Sequence, residues 1–467
     1  MFSKYLESKH DLCKELVKRL ESNFPYVSIL GKQISGDSIR VSTFVTSIGD
    51  TMEKQCGFVV KAYNGQCYVE YSFSDITKDN IDQIEKDILE KSKLSEDILE
   101  NHVNGHLIPD EPLVKTFSRE LTGKEYSLEE IVNKLNSFKQ KIHERNPKVV
   151  QAFVLYEKYE VSSFFVSKNR DLKQNFPWIL NACVAVLKEG DVIKSSRGVS
   201  VGIDTDKVFE TMEEKINGIV DLGEELLHAT MIEPGEYDII TNPSITGLIA
   251  HEAFGHGVEM DMFVKHRAKA RKYINKPVAS SLVEMHDGAA ATESCASYFF
   301  DDDGVLAHDT VIIKQGILQT GISDVISAMQ LDTEPTGNGR RETYKRKAYT
   351  RMTNTFFAKG DSKLEDMIKS VKYGYMLFDT NNGMEDPKNW NIQCTAEYGR
   401  EIKDGKFTGK IVAPVVMSGY VPDLLMSISM VSDDFEVIGA GHCGKGHKEW
   451  VPVSDGGPCL KARCKLS

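Results

Sequence analysis

Two histidines and a glutamate within a six-residue span are the part of the sequence best suited to chemistry. His251, Glu252 and His256 lie in the largely apolar stretch Gly247–Glu259. In many zinc hydrolases the pattern H-E-x-x-H places two imidazoles on one helical face, with the glutamate as general base. Here the histidines are five residues apart, which on a regular helix separates the rings by about 140°, too far to bind one small ion. A metal site at these residues therefore requires a local distortion of the helix.

The flanking residues indicate two ways in which the helix could bring the rings together. Asn242 can cap a helix that begins near Pro243, because a proline there loses no hydrogen bond. A π-bulge would place residues five apart on one face, and a helix that ends near Gly255 and Gly257 would let His256 turn back. We expect one of these two distortions. The alternative is that both histidines are packed or hydrogen-bonded in a core without a metal ion.

A catalytic zinc ion also needs a third protein ligand and one open position for water. Cys443 is a candidate, because it lies in the glycine-rich stretch 439–446, where the backbone could come close to a metal ion. Lys445 could favour its thiolate form. A lone cysteine is nevertheless more often an inert buried thiol. Spacing does not choose between Cys443 and its rivals, which are His442, His447, Cys459 and Cys464.

Four further charged residues are candidates for supporting roles. Glu259 and Asp261 lie just after the motif, and they could accept N–H hydrogen bonds from the ligand imidazoles and so fix the ring tautomers. They could equally be solvated surface acids. Arg340 and Arg341 could bind a substrate carboxylate or stabilise an oxyanion, or they could form salt bridges that hold a loop on a sheet.

The composition is typical of a soluble protein with two domains. The chain has 467 residues, 41% of them hydrophobic and 27% charged, which exceeds the usual size of a single core. There is no apolar run of membrane-spanning length, and the charged N-terminal segment argues against a signal peptide, so we expect a cytoplasmic protein without a membrane partner. The net charge of −12 argues against a nucleic-acid partner. Nine cysteines without C-x-x-C pairs fit a reducing compartment.

Periodicity predicts an α+β fold with a domain boundary near residue 232. Residues 1–231 show the order helix, strands, helix twice, which predicts a scaffold domain built from a duplicated unit with antiparallel meander sheets. Residues 232–467 are rich in strand patterns, with hairpin signals at Gln315-Gly316 and Asp404-Gly405. We expect this second part to be a β-rich catalytic domain that carries the helix with the metal motif.

The sequence resembles the TldD/PmbA family, whose members are regarded as metallopeptidases. The resemblance is most specific in residues 251–259, where the family signature H-E-x-x-x-H stands. It is clear in the C-terminal half and present only in outline in the N-terminal half. Because the second member type of the family lacks the metal motif, this chain looks like the TldD type, the catalytic one. The resemblance extends through residues 301–304, 335–341, 351–355 and 443–445.

The resemblance also implies a site, a reaction and a partner. It implies one zinc ion per catalytic chain, held by His251, His256 and Cys443, with Glu252 as the general base. Zinc-bound water would then hydrolyse unfolded or extended peptides that align beside a strand near the ion. The resemblance further implies a homodimer, or a heterodimer with a PmbA-like subunit, that encloses a chamber.

Three departures from the family pattern concern the substrate rather than the metal. Gly446-His447 replaces a common Gly-Gln, Asn391–Cys394 stands where a phenylalanine-rich segment is expected, and Asp303 stands where Glu is commoner. An alternative function is a non-catalytic peptide-binding partner or adaptor subunit of such a complex. Glu252 argues against it, because a structural zinc ion has no need of a free carboxylate beside it. A third possibility is a zinc hydrolase that acts on a small amide.

Overall fold

The fold is α+β, as the periodicity predicts. A computed structural model describes residues 1–94, 108, 110–445 and 448–467 of the chain. Three of the longer helices begin at a side-chain cap, including the Ser127–Glu130 capping box. No helix among the described residues is both long and apolar enough to cross a bilayer. The α-helices of the described residues are α1 (Lys4–Leu20), α2 (Ile81–Leu94), α3 (Leu128–Arg145), α4 (Thr205–Leu227), α5 (Pro243–Leu248), α6 (Met260–Val264), α7 (Val325–Gln330), α8 (Leu364–Lys369) and α9 (Val421–Met426).

The described residues of the first half form one nine-stranded sheet with four helices packed against it. The predicted order helix, strands, helix occurs twice, but the two units share a single sheet. The reason is that β7 pairs with both β1 and β2 and so joins the units. The strands are β1 (Tyr26–Ser35), β2 (Asp37–Ser42), β3 (Thr46–Asp50), β4 (Gln55–Tyr63), β5 (Tyr68–Phe73), β6 (Leu113–Ser118), β7 (Val149–Ser167), β8 (Arg170–Glu189) and β9 (Val192–Gly202).

The alternation of side chains along β7 separates the two faces of this sheet. Val154 and Phe164 point towards the helices. Tyr159 belongs to a different cluster, on the other face, together with Cys295 of the second half, and Phe165 packs with Phe300 in the same way. The N-terminal sheet is therefore covered by its own helices on one face and by the second half of the chain on the other.

The second half contains two larger sheets and a two-stranded ribbon, β14–β15. One larger sheet has the order β10-β17-β18-β20-β24-β21, with β19 beside β18, and the other has the order β13-β12-β11-β16-β23-β22. Strand β22 lies at the edge of its sheet. The strands are β10 (Gly235–Thr241), β11 (Met285–Asp287), β12 (Thr310–Lys314), β13 (Ile317–Leu318), β14 (Gly339–Arg340), β15 (Tyr349–Thr350), β16 (Asn354–Phe357), β17 (Tyr373–Asp386), β18 (Asn391–Lys403), β19 (Lys406–Val412), β20 (Val415–Tyr420), β21 (Met430–Val431), β22 (Glu436–Lys445), β23 (Lys448–Gly457) and β24 (Leu460–Leu466).

The turn signals read from the sequence correspond to tight hairpins. Gln315 and Gly316 have φ of 48° and 77°, and Asp404 and Gly405 have φ of 49° and 76°. Two consecutive positive φ values are what a type I′ turn requires, and glycine or aspartate adopts them with little strain. Both predicted hairpins are confirmed.

The segment with the metal motif lies between the two larger sheets of the second half. Helix α5 contacts β22 and β23 of one sheet and β17 of the other, and the helical turns that come after α5 contact β16, β17 and β18. The largest apolar cluster surrounds this segment and uses only residues from 232 onwards, whereas the clusters under α1–α4 use only residues before 228. The domain boundary near residue 232 stays a prediction.

Candidate metal centre

A π-helix carries the first histidine of the motif. Asn242 caps α5 by accepting a hydrogen bond from the Ile245 amide at 3.0 Å, with Pro243 at the first helical position. The π-helix then spans Ile249–Gly255, and the His256 amide donates to the His251 carbonyl, five residues back. The two rings lie 5.1 Å apart between centroids and at 90° to each other. The predicted π distortion is confirmed, and it brings the rings together because its i→i+5 hydrogen bonds place residues five apart on the same side of the helix.

Two glycines let the neighbouring strands approach this segment closely. A Cβ atom at Gly247 would overlap the backbone nitrogen of Gly456, and one at Gly255 would overlap the Met352 sulfur. A side chain at Gly247 would require the backbone of β23 to move, and one at Gly255 would require the Met352 side chain to move.

The structure brings Cys443 of β22 against the two histidines. Its Sγ lies 3.2 Å from His256 Nε2, and one ligand atom each from His251, His256 and Cys443 all lie within 4.8 Å of one another. A tetrahedral zinc ion with these ligands would separate them by about 3.3–3.6 Å. The side chain of His251 is buried, and its Nδ1 has no hydrogen-bond partner. The spacing, burial and donor types of these residues fit a zinc ion with three protein ligands and one open position.

Electrostatics hold the three side chains together. Burial alone would raise the pKa of the Cys443 thiol, but attraction to both imidazoles and the hydrogen bond with His256 lower that pKa well below its usual 9.0. Burial would lower the pKa of the histidines, yet the thiolate raises the pKa of His251 to about 9 and that of His256 well above 6.5. A bound cation would compete with protons for the imidazole nitrogens and for the thiolate.

Arg351 is a buried residue of this site for which sequence reasoning proposed no role. It is 0% exposed, and its Nη2 donates to Cys443 Sγ at 2.8 Å. Its Nε donates to Glu259 Oε1 at 3.2 Å, and its Nη1 donates to the Glu449 carbonyl. One guanidinium therefore supports the thiolate directly and reaches His256 through Glu259. The only signal in the sequence was its place in the family-like stretch 351–355.

The two acids after the motif have different partners. Glu259 Oε2 lies 3.2 Å from His256 Nδ1, as the sequence predicts for a residue that fixes a ligand tautomer. Asp261 differs from the prediction, because both of its oxygens accept from Lys445 Nζ, at 2.8 and 2.9 Å, and not from an imidazole. Asp261 lies in α6, which begins after Glu259 and turns this side chain towards Lys445. Lys445 thus pairs with acids, and Arg351 supports the thiolate.

Glu252 stands beside the candidate ligands, and Glu252, His256 and Glu385 form a second group whose ligand atoms lie within 4.8 Å of one another. This side chain is 16% exposed, and its Oε2 is 4.0 Å from His256 Nε2. Glu385 of β17 lies beside Glu252, and burial together with repulsion from Glu252 raises the pKa of Glu385 to about 7, although attraction to His256 opposes the shift. A Cβ atom at Gly383 would overlap Glu252 Cγ. Sequence reasoning missed Glu385 and Gly383, which lie in a strand with no motif.

Asp455 is a further acid that sequence reasoning did not single out. It lies on β23 next to Gly456, against Gly247 of α5. Burial raises its pKa to about 6, although attraction to His251 opposes the shift. The candidate centre is thus bordered by the carboxyl groups of Glu252, Glu385 and Asp455.

The rival ligands lie elsewhere in the structure. His442 pairs with Glu53, Cys459 Sγ donates to Asp434 at 3.3 Å, and Cys464 Sγ donates to the Ser418 carbonyl at 3.7 Å. His447 lies outside the described residues. Of the candidates that the structure describes, Cys443 is the thiol that meets the two histidines.

The two adjacent arginines have separate environments. Arg341 donates to both carboxylate oxygens of Glu70 at 2.7 Å, which corresponds to the salt-bridge alternative and ties the two halves of the chain together. Arg340 donates through Nη1 to the Met352 carbonyl at 2.7 Å, and it borders a cavity that also has Tyr298 in its wall.

The C-terminal half matches a known domain family. Residues 234–463 match the model of the PmbA/TldA metallopeptidase C-terminal domain. The chain is 34% identical over 242 residues to a metalloprotease of Methanocaldococcus jannaschii, an alignment that covers 52% of this chain and 53% of the relative. The chain thus spans about half the length of that relative. It is 30% identical over 321 residues to a metalloprotease of Methanothermobacter thermautotrophicus, covering 68% and 69% of the two chains.

Relatives that match over a longer range support the same comparison. A zinc metalloprotease TldD homolog of Saccharolobus solfataricus is 26% identical over 390 residues, which is 79% of this chain and 84% of the relative. The fold is similar to that of a protein from Thermotoga maritima, with a TM-score of 0.78 at 15% identity over 98% of this chain and 100% of the other. It is also similar to TldE from Thermococcus kodakarensis, with a TM-score of 0.75 at 17% identity over 97% and 99%.

Proposed function

This chain belongs to the PmbA/TldD metallopeptidase family, and on that premise we propose that it is a zinc-dependent peptidase that acts on unfolded or extended peptides. The observation that carries the proposal is the convergence of His251, His256 and Cys443 within 4.8 Å, with Glu252 beside them. These three residues would hold one zinc ion per chain. Bound there, the ion would polarise the scissile carbonyl and lower the pKa of an attacking water molecule.

The remaining steps fall to the residues of the chain. Glu252 would act as the general base, since its Oε2 lies 4.0 Å from His256 Nε2, beside the three proposed ligands. It would take the proton of the attacking water and pass it to the leaving amine. Arg351 and Glu259 hold Cys443 and His256 in place through the contacts described above. Gly383 leaves the room that the Glu252 side chain occupies.

Strand β22 offers a surface for an extended substrate. It carries Cys443 and lies at the edge of its sheet. A peptide that added as a further strand would be bound mainly through its backbone, which gives low sequence selectivity and favours unfolded chains.

The test compares the wild type with Glu252→Gln, both loaded with zinc, on casein. New amino termini measure the cleavage. Loss of a general base lowers the rate by about 10²–10⁴, while zinc content stays at the wild-type level. Glu365→Gln on the exposed side of α8 is the matched control and keeps full activity. Unchanged turnover in Glu252→Gln would exclude the assigned base, and a zinc-loaded wild type that cleaves nothing, with its partner subunit present, would exclude the peptidase.

We also propose the organisation that the sequence suggested. A scaffold at 1–231 and a catalytic domain at 232–467 agree with the match of the family model to residues 234–463.

A homodimer, or a heterodimer with a PmbA-like subunit, agrees with the similarity in fold to TldE, and light scattering of the purified chain with and without such a subunit tests it. A cytoplasmic location belongs to the same proposal, and cell fractionation tests it. The adaptor alternative is not favoured, since the relatives are named metalloproteases.

A further inference from the structure

A large cavity lies between the N-terminal sheet and the second half of the chain. Its volume is about 670 Å³, within the range of small-molecule sites. Tyr159 and Trp178 form one wall as a stacked pair, with ring centroids 4.0 Å apart and 5° between the ring planes. Phe176 and Trp450 add further apolar surface. The cavity can therefore take up an apolar side chain.

Arg340 supplies a positive charge to this cavity. It is 9% exposed, and among the described residues its one hydrogen bond is that from Nη1 to the Met352 carbonyl. Two other cations of the cavity wall have carboxylate partners, since the partly buried Lys32 pairs with Asp302 at 2.9 Å and the buried Arg341 pairs with Glu70. Arg340 forms no ion pair with a carboxylate in the part of the chain that the structure describes. Its guanidinium keeps donors for an incoming carboxylate, which it could bind in a bidentate manner.

The cavity and the candidate metal centre draw on the same two segments of the chain. His442 in its wall precedes Cys443 in β22, and Met352, which accepts from Arg340, is the residue after Arg351. Two segments thus contribute neighbouring residues to the two sites.

We propose that the cavity binds the C-terminal residue of the peptide substrate, with its carboxylate on Arg340 and its apolar side chain against Tyr159 and Trp178. This inference rests on the proposed peptidase function and narrows its substrate class to peptide fragments with a free carboxyl end. An apolar last residue is preferred to a polar one, because only the former matches the stacked wall.

The experiment measures binding to the full-length, zinc-loaded Glu252→Gln protein, which keeps peptides intact. The probes are three peptides of one sequence that end in leucine carboxylate, in leucine amide, or in leucine amide after an aspartate. Quenching of tryptophan fluorescence reports binding, since Trp178 and Trp450 lie in the cavity wall. We expect the free acid to bind at least about tenfold more tightly than the amide, as for a charge-assisted hydrogen-bond pair.

Two arginine variants assign this preference to the cavity. Arg340→Met abolishes the difference between acid and amide. Arg40→Met is the matched control, because Arg40 borders the same cavity with a side chain that is 55% exposed, and it retains the difference. Trp178→Leu tests the apolar contact independently of Arg340, and it weakens binding of the leucine acid relative to the corresponding alanine acid.

Each outcome decides the inference. Equal binding of acid and amide, or a preference that survives Arg340→Met, overturns it. Binding of the aspartate-containing amide as tightly as the free acid also overturns it, because the carboxylate recognised would then be a side chain. Hydrolysis of the amidated peptide by the wild type is measured in parallel. If the wild type cleaves the amidated peptide while the acid binds no more tightly than the amide, the peptidase function stands and the inference fails. If no peptide is cleaved but the acid still binds through Arg340, the peptidase function fails and the carboxylate site stands.

Discussion

Replacement of Arg351 by methionine tests whether the metal site depends on residues that do not bind the metal. The substitution keeps the apolar length of the side chain and removes the donors to Cys443 Sγ at 2.8 Å and to Glu259 at 3.2 Å. It leaves Glu259, which is 1% exposed, without one of its cations. Both metal affinity and stability should therefore fall.

The expected sizes of these two effects differ. Loss of a residue that supports metal ligands lowers affinity by about 10–100-fold, or about 1.4–2.7 kcal/mol. Removal of one partner of a buried ion pair lowers the free energy of unfolding by about 3–5 kcal/mol. Lys445 Nζ remains 3.3 Å from Glu259, so we expect the stability loss to lie at the lower end of that range.

The assay separates a specific effect on the metal from a general loss of stability. Zinc affinity is measured by titration of the metal-free protein in competition with a chromophoric chelator, and stability by denaturant unfolding. A cobalt-loaded sample adds the intensity of the thiolate charge-transfer band, which reports the contact with Cys443. Arg341→Met is the matched control, since Arg341 is also buried at 4% exposure and paired with a glutamate but belongs to another network.

The control should lose a comparable amount of stability and keep the zinc affinity of the wild type. Wild-type affinity and an unaltered cobalt band in Arg351→Met would refute the positioning role. Equal loss of affinity in Arg341→Met would show that the effect is only a consequence of lower stability.

Three further substitutions test other contacts in the same structure. Gly383→Ala places a Cβ atom where Glu252 Cγ lies, so peptide cleavage should fall by about tenfold or more while metal analysis finds zinc retained; unchanged kcat would contradict this. Cys443→Ala removes one of three ligands, so zinc should fall well below one per chain after dialysis, and a full complement of zinc would exclude Cys443 as a ligand. Burial opposes ionisation of Asp171, but hydrogen bonds from His10 and a lysine lower its pKa from 3.8 to about 2. The stabilisation from this lowered pKa is present above pH 3.8 and is lost as the pH falls towards 2, and Asp171→Asn should remove that part of the pH dependence of unfolding.

Local patterns predicted the parts of the structure that local physics determines. The five-residue spacing of the histidines required a distortion, and a π-helix is present at Ile249–Gly255. Pairs of turn residues such as Asp404 and Gly405 predicted the hairpins correctly, because few other residues adopt the positive φ angles that these turns require. These features depend on neighbours in sequence, and a single sequence contains that information.

Contacts between distant segments were not predictable in the same way. Arg351 meets Cys443 across 92 residues of chain, and no spacing rule links the two. Which cation lies beside the buried thiolate depends on which strands pack together. The sequence suggested Lys445, the near neighbour in the chain, whereas the structure places Arg351 against the Cys443 sulfur. The pairing of β7 with both β1 and β2, which merges the two predicted sheets, is a long-range property of the same kind.

The extra residue between the histidines also sets the orientation of the chain after the motif. A motif shortened by one residue, with the ordinary four-residue spacing, would rotate the chain beyond His256 by about 100°. Glu259 would then point away from Arg351, and the carboxylate that steadies His256 Nδ1 at 3.2 Å would be lost. The contact between Glu259 and the buried Arg351 therefore depends on the five-residue spacing of the histidines. A variant with the commoner four-residue spacing should bind zinc less well rather than better.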